Sequence, residues 1–477
     1  MHAGAGTAPG RRPDKRASQI ARRIEADVIR RGWPVGQSLG SEQALQQRYR
    51  VSRSVLREAV RLVEHHQVAR MRRGPNGGLL VCEPDAAPAT HAIIIYLEYL
   101  GTTIGDLLDA RLLLEPLAAS RAAQQIDEAG IERLRAVLRA EKDRNPTFAA
   151  DEFHAALAEQ SKNPVLQLFI DILMRLTVRY AEDSRLNSAG DALKAIEHRH
   201  REHSAIIAAV TAGDTVRAMT LSERHAESVT RWLQDHHDPG STRRGSSRQA
   251  PQGKLAEVLA AAIRDDIASS GWQVGEVFGS EVALLERYRV SRSVLREAVR
   301  LLEYHAVATT RRGPGGGLVV AEPQAQASID TIALYLQYRQ PRREDLTLIR
   351  DAIEIDNVAK VVARHDALEV RAFLESQRLL IEQAGDDPRK AGVEEFLFHT
   401  GLATLAGNAV LELFLRILVE LFRRHWASTT QPIPSHGDLV DVRHAHLRII
   451  EAIAQGDDSL ARHRIRRHLD AAASWWL

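Results

Sequence analysis

The sequence predicts a mainly α-helical chain built from two similar halves, and three observations carry that expectation. The stretch "YRVSRSVLREAVRLVEHH", Tyr49 to His66, returns as "YRVSRSVLREAVRLLEYH", Tyr288 to His305, 239 positions later. Runs of Leu, Ala, Ile and Arg at helical spacing fill most of each half, with no sustained alternation of apolar and polar residues. The only strand signals are short and flank a Gly-rich turn, "GPNGG" from Gly74 and "GPGGG" from Gly313.

The repeat sets the domain plan. Most positions of Ser41–His66 match Ser280–His305, and the match resumes at "RRGPNGGLLVCEP" (Arg72–Pro84) against "RRGPGGGLVVAEP" (Arg311–Pro323). Farther on, "AIIAAVTAGD" (Ala205–Asp214) answers "RIIEAIAQGD" (Arg448–Asp457), and Trp232 answers Trp475. Each half is a short, closely matched module followed by a longer, diverged one, at a period far outside the solenoid range. The expected plan is a disordered tail over 1–16, small modules over 17–85 and 254–324, and larger modules over 86–233 and 325–477. A flexible linker is expected over 234–253, where "QDHHDPGSTRRGSSRQAPQGK" replaces apolar residues with Gly, Ser, Pro and Arg.

Composition agrees with a folded chain. The 477 residues are too many for one core, and 44% hydrophobic residues with 17 prolines is ordinary globular usage. A single cysteine, Cys82, rules out an internal disulfide or a cysteine-cluster metal site. The start lacks the apolar core of a signal peptide, and no uncharged apolar run of membrane length follows, so a cytoplasmic protein with no membrane partner is expected. A net charge of +2 names no partner. Local charge says more.

In the small module, "SQIARRIEADVIRRG" (Ser18–Gly32) spaces Ile20, Ile24 and Val28 by four, an amphipathic helix that Gly32 ends. A second helix is expected over Ser41–Tyr49 with Ser41 as N-cap. Ser52 then caps a third, whose buried stripe is read as Val55, Ala59, Leu62 and Val63, leaving Arg53, Ser54, Arg57 and Arg61 outside. Val68–Arg73 and Leu79–Cys82 read as two strands joined by the Gly-rich turn. Three helices and a hairpin form the winged helix-turn-helix, whose recognition helix enters the major groove. Residues 41–73 hold eight arginines against three glutamates, at 42, 58 and 64. Such a face is often only a solvated surface. Here Arg53, Ser54 and Arg57 recur as Arg292, Ser293 and Arg296, and Arg72 and Arg73 recur as Arg311 and Arg312. Arginine pairs with guanine edges and grips phosphates, so double-stranded DNA is the expected partner.

At these residues the chain resembles a known family. "GSEQALQQRYRVSRSVLREAVRLVEHHQVARMRRGPNGG" is similar to the winged helix-turn-helix of the GntR family of bacterial transcription regulators, over about 65 residues of each half. The resemblance implies DNA contacts at Arg53, Ser54, Arg57, Arg73 and Gly74, and at Arg292, Ser293, Arg296, Arg312 and Gly313. The chain departs from the family pattern at Gln43 and Val282, where an arginine is usual.

The larger modules read as six or seven helices each, and histidine placement is their informative feature. His203 lies ten residues before Gly213 and His225 twelve after it; His446 and His468 flank Gly456 in the same way. If Gly-Asp turns a helical hairpin, about 1.5 Å per residue sets both histidines at nearly one height. Asp151 with His154, and Glu395 with His399, put a carboxylate and an imidazole on one helix face. Three imidazoles and a carboxylate suit a divalent transition metal, Zn²⁺ or Ni²⁺, up to one per module. A single histidine is more often a plain core or surface residue, but the spacing of 22 survives in both diverged copies. This arrangement also resembles the FCD domain of the FadR subfamily, in which an Asp and three His hold a metal and a small organic acid binds there. That implies Asp151, His154, His203 and His225, then Glu395, His399, His446 and His468. Asp151 lies three before its histidine where the family has four, Ala150 takes the usual place, and Glu395 is longer than Asp. Arg111 and Arg350, followed by Glu115 and Glu354, are candidates to salt-bridge an effector carboxylate or form a plain helix-surface pair.

The expected function is a transcription regulator, a repressor, whose two DNA-reading heads lie in one chain. It would act as an intrachain pseudo-dimer on an operator with two similar half-sites, a further homodimer being allowed, under control of a small organic acid. The alternative, a metal-dependent hydrolase, lacks any H-E-x-x-H, G-x-S-x-G or phosphate-loop motif.

Overall fold

A computed structural model describes residues 15–72, 74, 77–143, 152–181, 189–236, 255–313, 315–323, 325–383, 388–428 and 436–476. Residues 1–14 and nearly all of the linker fall outside these residues, as do Arg73 and Asp151, while Lys15 and Arg16, expected in the disordered tail, already belong to the first helix.

The first head contains α1 (Lys15–Arg30), α2 (Glu42–Tyr49), α3 (Arg53–His65), β1 (Ala69–Arg72) and β2 (Gly78–Val81). Ser41 caps α2 by accepting from Ala44 N, and Ser52 caps α3 by accepting from Val55 N. Between them Arg50 takes a left-handed conformation, φ 52°, that turns the chain into the recognition helix. Ile20, Ile24 and Val28 are buried as expected. The stripe of α3 differs from expectation: Leu56, Ala59, Val60 and Val63 are buried, while Val55 and Leu62 only flank the core. The true stripe follows i, i+3, i+4, i+7, which is the helical repeat.

The first large module runs α4 (Ala87–Tyr99), α5 (Ile104–Gln125), α6 (Glu128–Asp143), α7 (Glu152–Gln160), α8 (Pro164–Ala181), α9 (Ala189–Thr211) and α10 (Thr215–His236). The second head repeats the first as α11 (Leu255–Ser269), β3 (Val277–Gly279), α12 (Glu281–Tyr288), α13 (Arg292–Tyr304), β4 (Ala308–Arg311) and β5 (Gly317–Val320). Here the hairpin gains a third strand, β3 on β5, where the first head has one bridge, Ser38 to Leu80. Position 277 carries Val where the first copy has Ser38, and β-branched residues favour strands. The second large module is α14 (Ala325–Arg339), α15 (Arg343–Val362), α16 (Leu368–Glu382), α17 (Pro388–Ala406), α18 (Ala409–Ser428), α19 (His436–Ala454) and α20 (Asp458–Trp476).

One core joins the halves. Apolar residues of α4, α5 and α8 pack with those of α14, α15 and α18. Phe169 stacks on its own counterpart Phe414 at 3.9 Å between centroids, as happens on a twofold axis. Around it the contacts are reciprocal. Asn163 Nδ2 donates to Asp345 O, and Asn408 Nδ2 donates to Asp106 O, each at 2.9 Å. Each asparagine also caps its own helix: Asn163 Oδ1 accepts from Val165 and Leu166, and Asn408 Oδ1 from Val410 and Leu411.

The heads are seated crosswise. Leu334 and Tyr338 of α14 pack into the core of the first head, and Ile95 and Tyr99 of α4 into that of the second. Trp33 meets Tyr338 at 5.6 Å, and Trp272 meets Tyr99 at 5.7 Å. Polar anchors differ between the seats. Buried Glu25 of the first head takes His66 Nδ1 at 2.6 Å and Arg424 Nη1 at 3.5 Å, and Arg424 also pairs with Asp330 and Glu420. In the second head the same position is Arg264, which donates to His91 Nε2 at 3.2 Å and pairs with Asp265.

Burial raises the Glu25 carboxyl, but His66 and then Arg424 outweigh burial and hold it below its ordinary value of 4.5. A lowered carboxyl contributes stability above that value and loses it as pH falls through the folded one. Arg424→Ala should therefore cost about 3 kcal/mol at neutral pH. The gap between wild type and variant in denaturant melts should close as the pH is taken below about 4.

Candidate DNA-reading faces and metal centres

Arg53, Ser54, Arg57 and Arg61 are all exposed on α3, and Arg292, Ser293 and Arg296 on α13. In the first head Glu42 of α2 holds two of these cations, Arg57 Nε at 2.8 Å and Arg53 Nε at 3.1 Å. Hydrogen bonds from Arg53 and then Arg57 hold the Glu42 carboxyl below its ordinary value. In the second head Glu281 lies farther from its arginines, at 3.6 Å from Arg296 and 4.0 Å from Arg292. The first of these carboxylates gathers both guanidinium groups on one oxygen, where a phosphate would compete for them. Arg72 and Arg311 close the exposed ends of their hairpin strands, and Arg312 and Gly313 sit at the second wing tip. Gly74 and Gly313, at φ 113° and 101°, take turn conformations that favour glycine.

The histidines converge. Gly213, φ 70°, turns α9 into α10 and brings His203 Nε2 to 3.2 Å from His225 Nε2, which lies 3.3 Å from His154 Nε2 on α7. All three are buried. Their outer nitrogens meet carboxylates: His154 Nδ1 with Glu115 at 3.1 Å, His203 Nδ1 with Glu141 at 2.6 Å, His225 Nδ1 with Glu202 at 2.9 Å. A carboxylate accepts only from a protonated nitrogen, so the pairing places the ring protons on Nδ1. Three Nε2 lone pairs then point at one small volume, an arrangement a cation relieves. Burial pushes His225 down to about 4, which keeps it neutral and able to ligate at neutral pH.

In the second module Gly456, φ 69°, makes the same turn, and Glu395, His399, His446 and His468 gather. His399 Nε2 lies 3.1 Å from His468 Nε2. Glu395 reaches the Nε2 atoms of His399, His446 and His468 at 3.2, 3.0 and 3.1 Å. Its Oε2 and His446 Nε2 face each other without hydrogen-bond geometry, as ligands of a shared ion do. Glu354 meets His399 Nδ1. Burial lowers His399, but Glu354 and Glu395 outweigh it and raise it to about 10; burial takes His446 down to about 4.

Two matches to known families bear on these sites. The FCD domain matches residues 106–228 and 345–471, more than half of the chain, and the model described as bacterial regulatory proteins, gntR family, matches 16–76 and 255–318. The chain belongs to the GntR family. It carries the family's winged helix-turn-helix twice and the FCD domain twice. The HTH-type transcriptional regulator LutR of Bacillus subtilis is 29% identical over 201 residues, 41% of this chain and 90% of that one. The Uxu operon regulator of Haemophilus influenzae is 26% identical over 222 residues, 44% of this chain and 79% of that one. The solved Streptococcus agalactiae GntR is 24% identical, covers 45% of this chain and 99% of its own, and overlays with a TM-score of 0.32. Each has the length of about one half.

GntR-family proteins bind DNA and regulate transcription; they are not enzymes, so the hydrolase alternative has no support. Among the described residues no helix is long and apolar enough to cross a membrane. The two FCD histidine clusters hold ligand sets that could take a metal ion. Seven of the eight expected ligands meet as expected, and Asp151 lies outside the described residues. Arg111 and Arg350 are buried and engaged: Arg111 with Glu115 and Thr177, Arg350 with Asp351 and Leu469 O. An effector carboxylate would compete with those partners. Sequence reasoning missed Glu141 and Glu202 altogether; Glu202 stands next to His203, but Glu141 carries no spacing signal.

Replacing Arg57 and Arg296 together by alanine in this GntR-family chain should cost about 1–3 kcal/mol per head in operator binding. Arg72→Ala or Arg311→Ala should instead weaken all sequences alike and flatten the salt dependence. Mobility shifts at two salt concentrations separate the two effects.

Proposed function

We propose that this GntR-family chain is a cytoplasmic repressor of the FadR subfamily type that reads a two-half-site operator as a single-chain pseudo-dimer. Its DNA affinity is set by a small organic acid held at divalent ions, Zn²⁺ or Ni²⁺, in the FCD domains. The observation that carries the reading is the Phe169–Phe414 stack, with its reciprocal asparagine bonds, because like residues of one chain meet as they would between two protomers. Both recognition helices are then supplied by one polypeptide, to be set about 34 Å apart on a palindrome. Some 20 linker residues, typically spanning roughly 25 Å, suffice to join the halves and replace dimer association by a high effective concentration.

In each FCD domain His154, His203 and His225, with Asp151, or Glu395, His399, His446 and His468, would hold the ion. When bound, the ion supplies a Lewis-acidic centre for an effector carboxylate. Arg111 and Arg350 stand behind Glu115 and Glu354 and lend positive charge to the effector side. The cross-seated heads carry the response: a shift of α4 or α14 in one half reorients the head of the other.

On a single palindromic operator, light scattering should give the mass of one chain per DNA. Two chains per palindrome, each lending one head, would sink the single-chain reading. Purified protein should carry about one divalent ion per FCD domain, and His225→Ala should lose one of the two. Chelation should lower the melting temperature, since an ion bound only by the folded state stabilises it.

A further inference from the structure

We propose that the two histidine centres hold their ions with two distinct affinities, because outer carboxylates back all three imidazoles of the first and, among the described residues, one imidazole of the second. This rests on the metal reading above. In the first FCD domain every imidazole is backed, by Glu115, Glu141 and Glu202 at 3.1, 2.6 and 2.9 Å from the three Nδ1 atoms. Such partners fix the ring and its tautomer and make the ligating nitrogen more basic. Losing one typically costs 10- to 100-fold in metal affinity.

Among the described residues the second FCD domain keeps the first of these alone, as Glu354 on His399. α6 buries Gly130, Leu134 and Val137, and α16 buries Val370, Leu374 and Gln377, which sets Ile381 where Glu141 stands. Ile381 lines a cavity of about 20 Å³ next to His446, where Glu394 also stands but pairs with Arg443 at 3.4 Å. The cavity has room for about one water. Ala445 precedes His446 where Glu202 precedes His203, and Ala445 and His468 line an open cleft of about 1650 Å³. Among the described residues no carboxylate meets the outer nitrogen of His446 or His468. Instead Glu395 touches all three Nε2 atoms from inside the cluster. Outer negative charge thus backs all three rings of the first ligand shell and, among the described residues, one ring of the second. Glu141 and Glu202 are positioning residues for the first centre; Glu395 is a ligand of the other.

The test is competition for Zn²⁺ between the full chain and a chromogenic chelator. Wild type should show two affinity classes, and His225→Ala, which removes one, identifies the first centre. Glu141→Gln and Glu202→Gln should each weaken that class by about 10- to 100-fold and leave the other in place. Glu395→Gln should weaken only the second class, and Ala445→Glu should tighten it. Metal-free melting of each variant should stay near wild type, so that lost affinity reports on the ion and not on the fold. Glu202, with 21% of its side chain exposed, decides the matter if Glu141→Gln does not fold. One affinity class in wild type, or no change on Glu202→Gln, overturns the proposal. If no form of the chain binds the ion, the metal reading itself falls, and this proposal with it.

Discussion

Everything in this chain hangs on a seam where it meets itself. Phe169 and Phe414 stack across the pseudo-twofold, and around them α8 and α18 bury nearly continuous apolar faces. The seam is apolar at its centre and polar at two matched points, where Asn163 and Asn408 each satisfy a backbone carbonyl of the opposite half. A buried side-chain amide left without an acceptor is costly, so those two bonds fix register as well as adding stability. Apolar packing alone would tolerate sliding; the asparagines do not.

From the seam the rest is placed by lever. α4 and α14 leave the shared core and become the seats of the opposite heads, through Trp33 on Tyr338 and Trp272 on Tyr99. The aromatic contacts match between the seats while the polar anchors do not, Glu25 facing Arg424 in one and Arg264 facing His91 in the other. The duplicated halves are alike where geometry must be symmetric and free to differ where only burial and charge balance matter.

Much of this was legible because it is local. Ser41 and Ser52 announce their helices, and the counts from Gly213 and Gly456 place His203 on His225 and His446 near His468, since rise per residue is fixed. Of the expected α3 stripe Ala59 and Val63 are buried, but Leu56 and Val60 take the places of Val55 and Leu62, which are equally apolar, so that only the tertiary partner distinguishes them. The third strand of the second head carries Val277 and Phe278 where the first copy has Ser38 and Leu39, too short a difference to signal a strand. The seam was not legible at all: a phenylalanine in a helix and an asparagine at a cap look the same whether their neighbour is a near residue or the far copy. The outer carboxylates were hidden for a related reason, since Glu141 meets His203 across a helix pair with no fixed count between them.

Crosswise seating also has a genetic meaning. The codons that seat a head do not lie beside the codons that make it: the first head rests on α14 and Arg424, far along the second copy. A substitution at Leu334, Tyr338 or Arg424 therefore acts on the first head, and one at Ile95 or Tyr99 on the second. Each copy carries part of what holds the other's head.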